Sequence, residues 1–204
     1  SKSSLTQQTL MELVIEGIEN RTVICYTGED AEDIGFWRGL TFNESNEVQT
    51  IYWSREKLTG TIALQWVPLT VIDIQMHSNT LTSPTLDLTC LPPLLSQMYL
   101  SNNLFQGSID LTHLPGKMQT LVVSSNVLSG KVSLDHLPES MVRLFLHNNY
   151  FSGELSFKNL PKGMVTLNVS DNAFVGSIDT EDLPETIEAV IIDNTEIMWE
   201  DGKR

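Results

Sequence analysis

The dipeptide Leu-Pro returns at a fixed spacing through the second half of this chain, and no other feature limits its fold as strongly. Five copies follow one another at intervals of 23 residues: Leu91-Pro92, Leu114-Pro115, Leu137-Pro138, Leu160-Pro161 and Leu183-Pro184. Val67-Pro68 fits one unit earlier if one residue is inserted, and Glu44 opens a first unit that lacks the proline. A repeat of this length indicates a solenoid in which each copy forms one coil.

The repeats divide the chain into seven units: 44–66, 67–90, 91–113, 114–136, 137–159, 160–182 and 183–197. With the Leu of Leu-Pro numbered 1, positions 5, 8, 10 and 15 are apolar in every unit. Position 13 is Asn in the five inner units, and position 17 is Gly in all units that reach it except the second. A buried Asn amide can satisfy backbone groups of its own turn and of the neighbouring coil, so position 13 predicts a ladder of such bonds.

Positions 7 to 11 alternate between inward apolar residues and outward residues, as in 97–101. This alternation predicts a short strand with one buried face in every unit, stacked in parallel on its neighbours. The run 107–111 alternates again and predicts a second short strand in each coil. Because one unit buries too little surface to fold alone, stability must come from packing between coils, and the ends need caps.

The unit L-P-x-x-M-x-x-L-x-L-x-x-N-x-F-x-G-x-I-x-L resembles a leucine-rich repeat. It is most similar to the plant-type subclass and to 23-residue repeats of unicellular protists, and the resemblance covers Glu44 to about Ile197. It implies an α/β, mostly β, leucine-rich repeat solenoid. The expected form is a right-handed curved stack with a parallel sheet on its concave face, short second strands and turns elsewhere, and a helical cap at the N-terminus.

Residues 1–43 are the predicted N-terminal cap, and residues 198–204 the C-terminal tail. An apolar stripe that includes Leu10, Val14 and Ile18 predicts a helix over about residues 5–18. The segment 36–42 resembles the plant-type cap, whose C-x-W-x-G-v-x-C pattern implies a disulfide. Neither half-cystine is present here, since Phe42 stands at the second position and Gly35 or Ile34 near the first.

The chain has two cysteines, Cys25 and Cys90, which lie in different structural units. This placement disfavours a disulfide and favours a reducing compartment. With no visible signal peptide, the prediction leans to the cytoplasm, while three glycosylation sequons, at Asn20, Asn43 and Asn168, keep secretion or the cell surface open.

The resemblance implies ligand binding on the concave sheet, where positions 7, 9 and 11 point outward. Position 9 carries an aromatic and aliphatic row, and exposed apolar stripes with polar margins are typical of interaction surfaces. The alternative is that these side chains merely cover a narrow sheet, or that binding uses an edge or a loop of the solenoid. The predicted contact residues are Tyr52, Asp73, Gln75, His77, Tyr99, Val122, Arg143, Phe145, His147, Asn168 and Ile191.

No motif predicts a metal site, a cofactor or a catalytic centre. His77 and His147 sit three coils apart, about 14 Å, which is too far to share a metal ion. The residues before successive Leu-Pro pairs include Cys90, His113 and His136, which should lie one coil apart. The main interpretation is a polar ladder on an exposed turn, and the alternative is that these three side chains bind a zinc ion.

A net charge of −14 repels nucleic acid and anionic lipid, and the short apolar runs exclude membrane insertion. The predicted partner is therefore a protein, with a basic patch compatible with this charge, and the expected state is a monomer. The main hypothesis is a non-enzymatic protein-binding or scaffold module that uses its concave face. Two alternatives are the recognition arm of a larger receptor or enzyme, and a carbohydrate-binding surface protein.

Overall fold

The structure is a computed structural model that describes residues 2–25 and 33–200. It contains two α-helices, α1 (Gln7–Ile15) and α2 (Thr22–Cys25), with short 3₁₀ turns at Lys2–Ser4, Ile34–Phe36, Leu64–Trp66 and Thr180–Asp182. The strands are β1 (Leu40–Phe42), β2 (Val48–Tyr52), β3 (Thr59–Thr61), β4 (Asp73–Gln75), β5 (Thr80–Ser83), β6 (Gln97–Tyr99), β7 (Leu104–Gly107), β8 (Thr120–Val122), β9 (Val127–Gly130), β10 (Arg143–Phe145), β11 (Tyr150–Glu154), β12 (Thr166–Asn168), β13 (Ala173–Ile178), β14 (Ala189–Ile191) and β15 (Glu196–Trp199).

The first sheet has eight strands in the order β1-β2-β4-β6-β8-β10-β12-β14. From β2 onward each coil contributes one strand, and these strands pair in parallel with no shift in register. Met98 lies opposite Leu121, which lies opposite Leu144, so equal repeat positions face each other. A register shift of one residue would turn every buried position outward, which is why the apolar period fixes this pairing.

A second short strand in each coil is also confirmed, but the predicted position was wrong. In the third coil the strand is Leu104–Gly107, so it begins directly after the Asn at position 13 and shares only Gly107 with the predicted run 107–111. The strands β3, β5, β7, β9, β11, β13 and β15 form a seven-stranded parallel sheet in that order. The chain is therefore a mostly β solenoid of seven coils with one sheet on each of two sides, as the leucine-rich repeat pattern predicts.

The inward positions fill the space between the sheets. In the six coils before the last one, the side chains at positions 5, 8, 10 and 15 have no solvent exposure. The Asn ladder at position 13 closes the turn beside this core: Asn103 accepts the amide of Leu81 at 3.0 Å and donates to the carbonyls of Met76 and Leu100 at 2.9 and 3.1 Å. The predicted bonds to the own turn and to the neighbouring coil are thus confirmed.

The residue before position 13 has a left-handed backbone conformation in every coil, which the repeat pattern does not predict. Position 12 has a positive φ between 51° and 62° in all seven units, although none of these residues is Gly. Four of the seven are Asn or Asp, the types that tolerate this conformation best. The members are Arg55, Ser78, Asn102, Ser125, Asn148, Asp171 and Asn194.

The N-terminal cap covers the first coil with a helix and a strand. Helix α1 starts after Thr6, whose hydroxyl accepts the amide of Thr9 at 3.1 Å, and buries Leu10, Met11, Val14 and Ile15. The helix lies within the predicted 5–18 and ends earlier, because Ile18 leaves it to form an antiparallel bridge with Gly60.

Strand β1 pairs antiparallel with β2 and closes that edge of the first sheet. Cap residues 26–32 and tail residues 201–204 lie outside the described residues. Cys25 is buried, Cys90 is partly exposed, and no disulfide joins the two. Among the described residues, the helices are too short to cross a membrane.

Candidate functional site

The candidate site is the outer face of the eight-stranded sheet, formed by repeat positions 7, 9 and 11 and called here the sheet face. Its central row consists of the position 9 residues, each of which lies directly opposite its neighbour in the next strand. The row runs Tyr52, Gln75, Tyr99, Val122, Phe145, Asn168 and Ile191. The predicted column therefore forms one continuous line across seven strands.

Most of this row reaches the solvent. Tyr52 is 40% exposed, and Tyr99, Val122 and Phe145 are partly exposed in three consecutive strands. Asn168 differs, with 9% exposure, because its Oδ1 accepts the amide and the hydroxyl of Ser170 at 3.1 and 2.8 Å. The Asn168 side chain thus bonds to a residue just after its own strand and offers little surface to a partner. The other predicted contact residues of the row are more exposed.

An acidic network occupies the end of the sheet face near the cap. Tyr52 Oη donates to Asp73 Oδ2 at 3.1 Å, and Gln75 Nε2 donates to the same oxygen at 3.2 Å. Burial raises the pKa of the Asp73 carboxyl, and the two donors act in the opposite direction. Burial, followed by the adjacent Asp73, raises the pKa of Tyr52. The network thus holds a partly desolvated carboxylate beside an aromatic ring.

A second cluster lies three coils further on. The rings of Phe145 and His147 meet edge to face, with centroids 6.0 Å apart. Burial lowers the pKa of His147, against a smaller opposing effect of Asp171. Arg143 stands exposed on the same sheet face. This cluster joins an aromatic ring, an imidazole and an accessible guanidinium, and of these the aromatic and Arg side chains are enriched at protein contacts.

The remaining predicted contact residues lie between and beside these clusters. Tyr99 donates from its hydroxyl to Gln97 Oε1 at 3.2 Å, which holds the ring along the sheet. His77 lies 3.2 Å from the Ser78 hydroxyl, and burial followed by Arg55 lowers its pKa. His77 and His147 follow strands β4 and β10, which are not neighbours in the sheet, in agreement with the expectation that the two cannot share a metal ion.

Three buried polar atoms without a hydrogen-bond partner mark the same face. Within residues 2–25 and 33–200, the buried side-chain atoms that lack a partner are Ser54 Oγ, Asp73 Oδ1 and His147 Nδ1. All three belong to positions 7 or 11. Buried polar groups are normally satisfied, so orphaned atoms concentrated on one face need an explanation, and a functional surface is one. Sequence reasoning could not find them, because they depend on side-chain packing.

The alternative zinc ligands Cys90, His113 and His136 do not gather into a metal site. Cys90 Sγ donates to Asp87 Oδ2 at 2.9 Å, and His113 Nδ1 lies 2.9 Å from Asp110 Oδ2. The described part of the chain contains no group of three His, Cys, Asp or Glu residues that could hold a metal ion. Cys90 and His113 instead each pair with an Asp three residues earlier in their own turn.

A second exposed apolar stripe lies on the seven-stranded sheet, where no contact residue was predicted. Leu104, Val127 and Tyr150 occupy position 14 of three consecutive coils and are 48%, 40% and 68% exposed. The signal was present in the same repeat alignment, since position 14 is apolar in those three units. It was missed because the second strand was predicted to begin three residues later, whereas β7, β9 and β11 begin at position 14.

No family model matches the chain, and no curated protein matches its sequence. Solved structures do match. A pollen receptor kinase 3 structure is 24% identical with a TM-score of 0.61, over 97% of this chain and 94% of that one. The ectodomain of SOBIR1, a receptor kinase of Arabidopsis thaliana, is 17% identical with a TM-score of 0.53, over 95% of both chains.

The ectodomain of the plant membrane receptor kinase GASSHO1/SCHENGEN3 from Arabidopsis thaliana was solved in complex with Casparian strip integrity factor 2. It is 19% identical with a TM-score of 0.59, and the match covers 93% of this chain and 27% of that ectodomain. At these identities the comparisons establish the fold, which is the leucine-rich repeat fold of plant receptor ectodomains.

Proposed function

We propose that this chain is a non-enzymatic protein-binding module that holds its partner on the sheet face. The single observation behind this is the unbroken row of Tyr99, Val122 and Phe145, in register and open to solvent on a parallel sheet. Burying such apolar surface is favourable, and aromatic side chains contribute large area at low cost in entropy. The orphaned polar atoms beside the row add a second reason to expect contact there.

The charge of the chain supports a basic partner. The net charge is −14, and Asp73 lies half-buried at one end of the sheet face. A partner that places Lys or Arg side chains near this network would gain electrostatic attraction and faster association. The exposed Arg143 at the other cluster favours an acidic or carbonyl group of the partner there. The proposed partner thus has an apolar centre and opposite charges toward its two ends.

The test is capture of partners from the source cell by immobilised chain, compared between matched variants. Phe145→Glu and Tyr99→Glu place a charge in the middle of the row and should abolish capture with little change in Tm, since both side chains are partly exposed. Tyr150→Glu makes the same change on the other sheet, where the ring is 68% exposed, and should leave capture intact. Capture that survives both row variants, or that only Tyr150→Glu removes, contradicts the proposal.

A recognition arm of a larger receptor is the second candidate, favoured by one comparison. The chain matches 27% of the GASSHO1/SCHENGEN3 ectodomain, so coils of this type also form part of longer solenoids.

The compared proteins are receptor ectodomains, which supports the cell surface as a compartment, while the absent cap cysteines support the cytoplasm. Binding to a glycan array in place of a protein would favour the carbohydrate alternative. Sedimentation equilibrium tests the proposed monomer.

A further inference from the structure

The sheet face is lowest over the fourth coil, in a depression called here the trough. Its floor consists of Thr120, Val122 and Ser124, whose side chains are all short. The larger rings of Tyr99 in β6 and Phe145 in β10 stand on either side, because both strands pair with β8 in register. Neighbouring strands lie about 4.8 Å apart, so these two rings emerge about 10 Å from each other. This width leaves room for one row of partner side chains between them.

The two walls of the trough run in the direction of β8. Tyr99 Oη donates to Gln97 Oε1 in its own strand at 3.2 Å, so its ring extends along β6. The ring of Phe145 meets the ring of His147 edge to face, and the two form the wall along β10 and the residues after it. A partner segment in the trough is therefore aligned with β8. In an extended segment, residues i, i+2 and i+4 then face the floor.

Two hydroxyl groups on the trough floor lack a partner within the chain. Thr120 and Ser124 are each 4% exposed. In the part of the chain that the structure describes, neither hydroxyl forms a hydrogen bond, although most polar groups of such buried residues are satisfied in proteins. His147 Nδ1, one of the orphaned atoms, belongs to the wall beside Ser124, since the amide of Ser125 donates to the carbonyl of His147 at 3.0 Å. Polar groups of a partner segment thus find bonding sites at both ends of the trough.

The charge at the trough is positive, although the chain as a whole has a net charge of −14. Arg143 lies directly opposite Thr120 in the next strand and is exposed. Burial lowers the pKa of His147, which leaves Arg143 as the charged side chain of the sheet face in the third to fifth coils. A carboxylate above Thr120 would form a charge-assisted hydrogen bond with this guanidinium.

We propose that the trough holds an extended segment of the partner protein, laid along β8, with an acidic residue at i, an apolar residue at i+2 and an amide residue at i+4. The acidic side chain pairs with Arg143, the apolar one packs on Val122 between the two rings, and the amide bonds to Ser124. This inference rests on the proposed function, because it specifies the segment that the sheet face binds.

The probe is a labelled, backbone-cyclised β-hairpin peptide with Asn-Gly turns, which presents Glu, Phe and Asn at alternate positions of one strand. The matched peptide has Lys in place of Glu. We expect the Glu peptide to bind in fluorescence anisotropy at least about tenfold more tightly than the Lys peptide. Equal binding of the two peptides, or no binding of either, overturns the inference.

A charge exchange locates the contact. Arg143→Glu should reverse the preference, so that the Lys peptide binds more tightly than the Glu peptide. Lys131→Glu makes the same charge change after strand β9 of the seven-stranded sheet, where the side chain is exposed, and should leave the preference for the Glu peptide unchanged. A preference that Arg143→Glu does not alter, or that Lys131→Glu also reverses, contradicts the assignment.

The shape of the trough is tested without a change in charge. Val122→Trp fills the space between Tyr99 and Phe145 and should weaken the Glu peptide about tenfold or more. Because Val122 points outward and is partly exposed, the variant should keep the Tm of the unchanged chain. Undiminished binding to a folded Val122→Trp chain shows that the apolar side chain of the peptide does not enter here.

The peptides also separate this inference from the proposed function. If Phe145→Glu abolishes capture of partners but the Glu and Lys peptides bind alike, the sheet face binds its partner and the trough assignment is wrong. If peptide preference follows the charge at Arg143 while capture survives Phe145→Glu, the trough assignment is supported and the proposed function is contradicted.

Discussion

Asn126 accepts the backbone amide of Phe105, one coil earlier, at 3.1 Å through its side-chain oxygen. Its amide nitrogen faces the carbonyls of Leu100, Val123 and Ser124 at 3.1, 3.0 and 3.2 Å. One buried side chain thus serves two coils, and the same pattern recurs at Asn79, Asn103, Asn149 and Asn172. The ladder therefore links each inner coil to the coil before it.

Asn126→Ala should therefore lower the free energy of unfolding by about 2–4 kcal/mol, because it leaves several buried backbone groups unsatisfied. Urea unfolding followed by circular dichroism measures the effect. Thr195 provides the control, since it occupies the same position in the last coil and its hydroxyl bonds within that coil, donating to Ile192 O at 2.6 Å and accepting the amide of Ile197 at 3.3 Å. Thr195→Ala should cost about 1 kcal/mol or less. Equal losses for the two variants would show that the ladder does not link the coils.

The left-handed residue of each coil gives a second prediction. Ser125 has a φ of 54°, a region that β-branched residues avoid. Ser125→Val should lower the free energy of unfolding by about 1–2 kcal/mol. Tm should fall accordingly. Ser129→Val, in strand β9 with ordinary strand geometry, should cost less or stabilise the chain. The two variants add the same side chain four residues apart, so a larger loss at Ser129 would contradict the assigned backbone.

The pH dependence of stability should contain a step from Asp73. Burial raises its folded pKa above the ordinary value of 3.8, so the folded chain binds this proton more tightly than the unfolded chain does. The carboxyl therefore favours folding at low pH, and this contribution is lost as the pH rises through the raised pKa. The difference in free energy of unfolding between the chain and Asp73→Asn should change just above pH 3.8 and stay constant at neutral pH.

Carbon NMR of the Asp73 carboxyl tests the same assignment directly. Tyr52→Phe removes a hydrogen bond that stabilises the charged form, so the pKa of Asp73 should rise further in this variant. A midpoint at or below 3.8 in the unchanged chain would show that burial does not dominate the pKa of Asp73. No response to Tyr52→Phe would show that the Tyr52 hydroxyl does not stabilise the carboxylate. The measurement requires no knowledge of the partner.

The repetitive part of the fold could be predicted from sequence because one physical rule applies to every coil. Leu121 and Leu144 must both point inward, which fixes the register of β8 against β10 and places Val122 beside Phe145 on the outer face. The recurring Asn at position 13 likewise predicted the Asn ladder, whereas the alternation at 107–111 placed the second strand about three residues too late. Residue periodicity is sufficient wherever burial decides the orientation of a side chain.

Departures from the pattern were not predictable in this way. Asn168 stands in the outward row but turns toward Ser170, which the repeat position cannot show. The orphaned Asp73 Oδ1 and the left-handed φ of Ser125 likewise depend on local packing and backbone geometry.

Hydroxyl-radical footprinting of the chain, free and bound to a captured partner, tests most directly whether the sheet face is the binding surface. In the free chain Tyr99 and Phe145 should be oxidised while the fully buried Phe105 and Phe151 are not. On binding, Tyr99 and Phe145 should become protected and Tyr150 should stay reactive. Protection of Tyr150 with no change at Tyr99 and Phe145 would contradict the proposed surface.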